Sequence, residues 1–206
     1  MTEESHRNQG LIRILMNSIL RDYEKTCDFI YLFANSSVLD FYPKFGFVKA
    51  QEYYSRKNID KGKAYYDFRK LHMDNEKDKN LLLSLIHKAY PNSKVTMVNN
   101  TELIMFYCDS FLKENIYFVE ALNTAVIAEN NGNQLMIQDV FCEKPVDLDL
   151  IINTLMITDT RNILLGFTPI DESSYTKENL EEENTTLFVR GKNILSDAMF
   201  PVLSHA

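Results

Sequence analysis

The hexapeptide Arg7-Asn8-Gln9-Gly10-Leu11-Ile12 is where residue types and spacing suit the binding of an anion. It stands at the head of a stretch with helical periodicity. The first turn of a helix carries N–H groups without intrahelical acceptors and the positive end of the helix dipole, so it can grip a diphosphate. Gly10 lets the backbone approach a ligand closely, and Arg7 sets a guanidinium beside it. The same residues also suit an ordinary helix start. A second group of interest is Asn35-Ser36-Ser37-Val38-Leu39-Asp40-Phe41-Tyr42-Pro43-Lys44-Phe45-Gly46-Phe47. Taken singly, Asn35 reads as a helix cap, Tyr42 as a half-buried surface tyrosine and Lys44 as solvated. Phe41, Phe45 and Phe47 read as core.

These residues must be held by the elements around them. Leu11, Ile14, Leu15, Ser18 and Ile19 share one face at helical spacing, which predicts a helix over 10–23. The run CDFIYLFA, residues 27–34, predicts a buried strand. Ser37 to Lys44 predicts a short helix that Gly46 ends, and 47–56 reads as extended. The polar segment 57–63, which contains Gly62, marks a boundary. Beyond it the pattern predicts a strand over 66–72, a helix capped by Asp74 or Asn75 that stops at Pro91, and a weaker helix over 102–112. Strands follow at 116–122, 125–129 and 134–140, the last two joined at Asn130-Asn131-Gly132. A helix over 147–156, a buried strand over 163–167, an acidic loop over 171–184 and a strand over 187–190 complete the chain. The class is mixed α/β with an antiparallel meander.

Bulk properties exclude several functions. The 206 residues carry a net charge of −7, which argues against the basic face that nucleic acid requires and against a polybasic membrane anchor. No apolar run approaches the roughly 20 residues of a spanning helix, and the N-terminus has no stretch like a signal peptide. A cytoplasmic protein is expected. Cys27, Cys108 and Cys142 are odd in number and lie in apolar stretches, so buried free thiols are expected. His6, His72, His87 and His205 are scattered, and no metal site is expected.

With both groups of residues in order, joined by a helix and a strand, the sequence resembles the GNAT superfamily of acetyl-CoA-dependent N-acyltransferases over residues 7–54. Arg7 and Gly10 match the first two fixed positions of that family's coenzyme loop, whereas Ile12 departs from its third, small position. Asn35, Tyr42, Lys44, Gly46 and Phe47 reproduce its second signature. The resemblance implies that residues 7–12 bind the pyrophosphate of acetyl-CoA, Asn35 bonds the pantetheine arm, and Tyr42 is the general acid that reprotonates the departing thiolate. A phenol has the proton to give and stays neutral at working pH. In the family, three antiparallel strands and a strand–helix pair precede the loop. Here six residues precede Arg7, with Met1-Thr2 the expected end of the entering strand. Residues 1–58 are thus expected to be the C-terminal half of a GNAT domain.

Residues 59–206 repeat the family's element order and are expected to form a degenerate GNAT-like domain with a mixed, largely antiparallel sheet. Its phosphate position, Cys142 to Asp147, has no glycine, and the carboxylates of Glu143 and Asp147 would repel a diphosphate. That copy is expected not to bind coenzyme. The activity implied is acetyl transfer from acetyl-CoA to a primary amine, on a small molecule or a peptide, by direct attack. The alternatives are a non-catalytic coenzyme-binding protein and an interaction module on the same fold, with a homodimer left open by the unpaired sheet edge.

Overall fold

The computed structural model describes residues 3–59, 65–181, 183–192 and 198–205. The chain divides into two compact units, one drawn from 1–51 and 181–196, the other from 52–180 and 197–206. This differs from the expected cut after residue 58. Residues 60–63 of the expected boundary segment, Gly62 among them, and Met1-Thr2 lie outside the described residues.

The first unit begins with helix α1, Leu11–Tyr23, and strand β1, Phe29–Ala34. The expected short helix is instead two 3-10 turns, Ser36–Val38 and Tyr42–Phe45. The second ends because Gly46 takes φ +78, a left-handed conformation open to glycine at little cost. Strand β2 is short, Val48–Lys49, and the long extended segment expected here breaks after it. Strand β10, Thr186–Gly191, returns from far along the chain and lies between β1 and β2, antiparallel to both. Leu20, Ala34, Phe45, Phe47 and Phe188 form the core, with Met16, Leu39 and Tyr42 packed on it. Leu11, Ile14, Leu15 and Ile19 of α1 are exposed, because the helix turns Met16 and Leu20, not that stripe, toward the three-stranded sheet.

The second unit is built on a seven-stranded sheet ordered β4-β5-β6-β7-β8-β3-β9. Its members are β3 Tyr53–Asn58, β4 Arg69–Lys70, β5 Ile116–Val119, β6 Thr124–Asn131, β7 Gln134–Cys142, β8 Asn162–Leu165 and β9 Thr176–Asn179. All neighbours are antiparallel except β7 and β8. Helices α2, Glu76–His87, and α3, Thr101–Asp109, cover one face through Leu82, Leu85, Ile104 and Cys108. Helix α4, Leu148–Leu155, covers the other through Ile151, Ile152 and Leu155. Strand β6 shows why both faces are dry: Ala125 and Ile127 point to α2 and α3, Val126 and Ala128 to α4, as side chains of a strand alternate.

Two expectations are corrected. Strand β9 lies inside the stretch read as an acidic loop; it is an edge strand, so its charged side chains stay in reach of water, and Glu178 pairs with Arg56 of β3. Cys27 is exposed, while Cys108 and Cys142 are buried, because β1 starts two residues later than expected. Among the described residues no helix is long and apolar enough to cross a membrane.

The two sheets share a pattern. In each, a helix leads into a strand, and that strand's antiparallel neighbour is contributed from elsewhere in the sequence: β1-β10-β2 in the first, β8-β3-β9 in the second. Where β10 enters, Gly191 faces Phe29, and a Cβ there would lie 2.7 Å from the Asp28 carbonyl oxygen and 2.9 Å from Phe29 Cα. Its φ of +109 compounds the problem. Gly191→Val is expected to destabilise the first unit by about 1–3 kcal/mol, read as a lower urea midpoint by tyrosine fluorescence in this Trp-free chain. An unchanged midpoint would contradict this account of the β1–β10 junction.

Candidate active site

The start of α1 is open. A 3-10 turn, Glu4–His6, leads into extended Arg7, then Asn8 with φ +60 and Gly10 with φ +75 as N-cap. Among the described residues no side chain caps α1, its first turn carries no acidic residue, and Ile14 N–H is the first to find a helical acceptor, the Gly10 carbonyl at 3.1 Å. A Cβ built on Gly10 would meet nothing within 4 Å. Gln9 is turned away from the helix start, donating through Nε2 to the Ser5 carbonyl at 3.0 Å. Ile12, the departure from the motif, is 47% exposed.

Asn35 performs the cap role. Its Oδ1 accepts from Ser37 N–H at 2.9 Å and Ser37 Oγ at 2.8 Å, which fixes the first 3-10 turn and leaves the amide nitrogen to act as a donor. Tyr42 is half-buried, its ring packed with Phe41, Phe47 and Phe188 at centroid separations of 5.4, 6.3 and 5.7 Å. Arg190 of β10 donates to the Phe45 carbonyl and pairs with Glu24 just past α1. One guanidinium thus ties the Tyr42 turn to the end of the helix. All eight residues singled out from the sequence fall in the first unit, and Tyr42 shares a core cluster with Met16 and Leu20 of α1.

The start of helix α4 in the second unit is closed. Asp147 caps α4 by accepting from Asp149 N–H at 2.9 Å, and Asp149 in turn takes Lys57 Nζ at 2.7 Å. Glu143 pairs with Lys88 instead. Beyond the end of β8, Gly166 N–H donates to the Ile137 carbonyl, and the Gly166 carbonyl accepts from Val202 N–H at 2.8 Å. Residues 198–205 fill that place. Met199 N–H donates to Thr168 Oγ1, Phe200 N–H donates to Glu52 Oε1, and Tyr107 donates to the His205 carbonyl. His205 is therefore docked.

Sequence reasoning missed a group in the second unit. The register of β6 and β7 shifts between Ile127 and Ala128, so Gln138 is one residue too many. Such a bulge re-phases a strand. Leu135 and Ile137 belong to the α4 side, but after the bulge Val140 and Cys142 do, and Phe141 moves to the α2–α3 side. Asp139, of Phe141's parity, thereby lines a pocket of about 290 Å³ with Ile86, Asn92, Met97, Asn100 and Phe167. Burial pushes its carboxyl up to about 7, against a lowering hydrogen bond from Val140 N–H. Burial also raises the thiols of Cys108, to about 12, and Cys142, with the Asp139 charge a lesser contribution to each. The signal in the sequence was a lone carboxylate within an apolar strand, MIQDVFC.

No protein-family model matches the sequence, and none of the curated proteins matches it. Solved structures do resemble the fold. Eis1 from Mycobacterium abscessus is 13% identical, with TM-score 0.52 over 91% of this chain and 53% of its own. A GCN5-related N-acetyltransferase from Kribbella flavida is 16% identical, with TM-score 0.51 over 92% and 50%. A probable N-acyltransferase from Enterococcus faecalis V583 is 11% identical, with TM-score 0.51 over 92% and 52%. The chain has the GNAT, or acyl-CoA N-acyltransferase, fold. It spans about half the length of each of these proteins.

The Asp139 carboxyl has a consequence for stability. Its folded value lies above the ordinary 3.8, so between about pH 4 and 7 the folded chain keeps a proton that the unfolded chain has lost. Stability therefore falls as pH rises across that window, and the penalty is complete above it. Asp139→Asn removes this titration. The variant's melting temperature relative to the parent is expected to rise from about pH 4 to about pH 8; a difference independent of pH would refute the burial assigned to Asp139.

Proposed function

We propose that the first unit is the coenzyme-binding half of an N-acetyltransferase that moves an acetyl group from acetyl-CoA to a primary amine. The observation that carries this reading is the contrast between the two helix starts: α4 is capped by its own carboxylate, whereas α1 is uncapped, free of acidic residues in its first turn, and fronted by a glycine with space around it. That cradle fits a diphosphate, which backbone N–H groups and the helix dipole hold without a large side chain. Leu11 and Ile12 enter through their backbone, so the exposed Ile12 side chain does not block the grip. Asn8 and Gln9 shape the approach, and Arg7 adds positive charge at the rim.

When bound, acetyl-CoA supplies the thioester that the amine attacks directly, with no covalent enzyme intermediate. Asn35, its oxygen committed to Ser37, has its amide N–H groups to donate to a pantetheine carbonyl. Tyr42 gives its phenolic proton to the leaving thiolate, and the aromatic packing about its ring fixes the direction of that hydroxyl. The second unit reads as a degenerate copy of the same domain that does not hold coenzyme. The acceptor's general base belongs to neither group of residues.

A second reading, a non-catalytic coenzyme-binding protein, is favoured by one observation. Strand β1 has β10 on one side and, among the described residues, no strand on the other, whereas β8 has β7 there. Two measurements separate the readings. Calorimetry with acetyl-CoA is expected to show binding by the parent chain, reduced on the order of tenfold or more by Gly10→Asp, which sets a carboxylate at the helix start. Equal binding by both, or by neither, removes the coenzyme claim. Tyr42→Phe is expected to lower kcat about a hundredfold against an amine panel with acetyl-CoA affinity retained; turnover absent from the parent chain as well supports the second reading.

A further inference from the structure

The seven-stranded sheet of the second unit ends at β4, whose outer edge has no strand beside it among the described residues. Just before β4 the chain carries Tyr65, Tyr66, Asp67 and Phe68. An open cleft of about 460 Å³ lies between these residues and Phe118, Glu120 and Ala121, at the end of β5 and the turn after it. That volume falls within the range of small-ligand sites. The walls are strongly aromatic. Tyr66 is anchored on the α4 side of the sheet and Phe118 on the α2–α3 side. Tyr65 and Phe68, by contrast, are 54% and 44% exposed. The Phe68 ring is nevertheless held, edge to face with Tyr117 at 5.6 Å.

The charges about the cleft are unequally committed. Arg69, on its wall, pairs through Nη1 with Asp78 of α2 at 2.8 Å, and its guanidinium lies over the Phe118 ring at 5.6 Å. Lys70, the next residue of β4, lies 3.6 Å from Glu114 and 6.0 Å from the centre of the Tyr117 ring. Asp67 and Glu120 line the same cleft and have no ion-pair partner among the described residues. The nearby cations are thus spent on other partners, while ring faces and two carboxylates stay open to a ligand. Ring faces attract a cation through their quadrupole. A primary ammonium is compact and strongly hydrated, and seeks hydrogen-bond acceptors. A cation whose charge is spread over methyl groups loses less on leaving water and gains apolar contact as well.

We propose that this cleft binds a small quaternary ammonium ion, its methyl groups against Tyr65, Tyr66 and Phe68 and its charge balanced by Asp67 and Glu120. A quaternary nitrogen has no lone pair with which to attack a thioester. This ligand is therefore not an amine acceptor, and the site is independent of the transfer proposed above.

The test uses the full chain and three probes: choline, its neutral carbon isostere 3,3-dimethylbutan-1-ol, and ethanolamine as the primary ammonium. In calorimetry choline is expected to bind at least about tenfold more tightly than the neutral isostere, and several-fold more tightly than ethanolamine. Saturating the protein's aromatic protons in an NMR experiment is expected to transfer to the trimethylammonium protons of choline. Tyr65→Leu and Phe68→Leu, at exposed positions, are each expected to weaken choline about fivefold at an unchanged melting temperature. The double variant Asp67→Asn, Glu120→Gln keeps the aromatic walls and is expected to lose most of the preference for choline over its isostere. Absence of choline binding at millimolar concentration, equal binding of the isostere, tighter binding of ethanolamine, no transfer from aromatic protons, or full affinity in a folded Tyr65→Leu, Phe68→Leu variant each overturns the assignment.

Discussion

A helix leaves its first four backbone N–H groups without intrahelical acceptors, and much of what distinguishes the two units follows from how that demand is met. At α4 the chain supplies its own acceptor, Asp147, and adds Lys57 to balance the neighbouring Asp149. At α2, Asn75 does the same through Oδ1. At α1 the residue in that position is Gly10, which has no side chain to offer, and the turn before it carries the chain away through two left-handed residues, Asn8 and Gly10. The open donors are a cost to the isolated helix. At α4 the same donors are already met from within the chain, so the two helix starts differ in what they leave open.

Holding that helix start in place is a matter of strand provenance. The central strand of the first sheet, β10, comes from residues 186–191, and β3, which plays the equivalent part in the second sheet, comes from residues 53–58. Each unit is therefore complete only when a segment distant in sequence has been inserted, and each insertion closes a loop of more than a hundred residues, an entropic cost that grows only slowly with length. The inserted strand also carries specific fastenings. Arg190 reaches both the turn after Tyr42 and Glu24 beyond α1, and Phe188 stacks with Tyr42.

How much of this was legible in the sequence depends on whether the signal was local. Helix α1, the turn-rich segment after Asn35, the β5–β6–β7 meander and α4 with its Asp147 cap all announce themselves by periodicity, glycine and capping residues within a dozen positions. The exchange of β3 and β10 does not, because pairing partners leave no trace in a single strand's composition. Strand β9, Thr176–Asn179, is hydrophilic throughout, since an edge strand needs no buried face; its backbone pairing with β3 makes it a strand. Of the candidate site, Gly10, Asn35 and Tyr42 were visible as motif residues. What their residue types could not give was the open space around Gly10 or the packing of Tyr42 on Phe188 of the distant β10.

Asp139 shows the same limit from the other side. Strict alternation from Leu135 and Ile137 would send residue 139 toward α4, into a layer occupied by Ile151, Ile152 and Leu155. There a carboxylate would be without compensation, and burying an unpaired charge in such a layer is costly enough to select against it. The extra residue at Gln138 instead turns Asp139 to the α2–α3 side, where a pocket gives the carboxyl somewhere to face. The same shift that places Asp139 also places Phe141 on the α2–α3 side and Val140 and Cys142 on the α4 side. The one-residue shift at Gln138, and not alternation along β7, therefore decides which face this half-buried carboxyl joins.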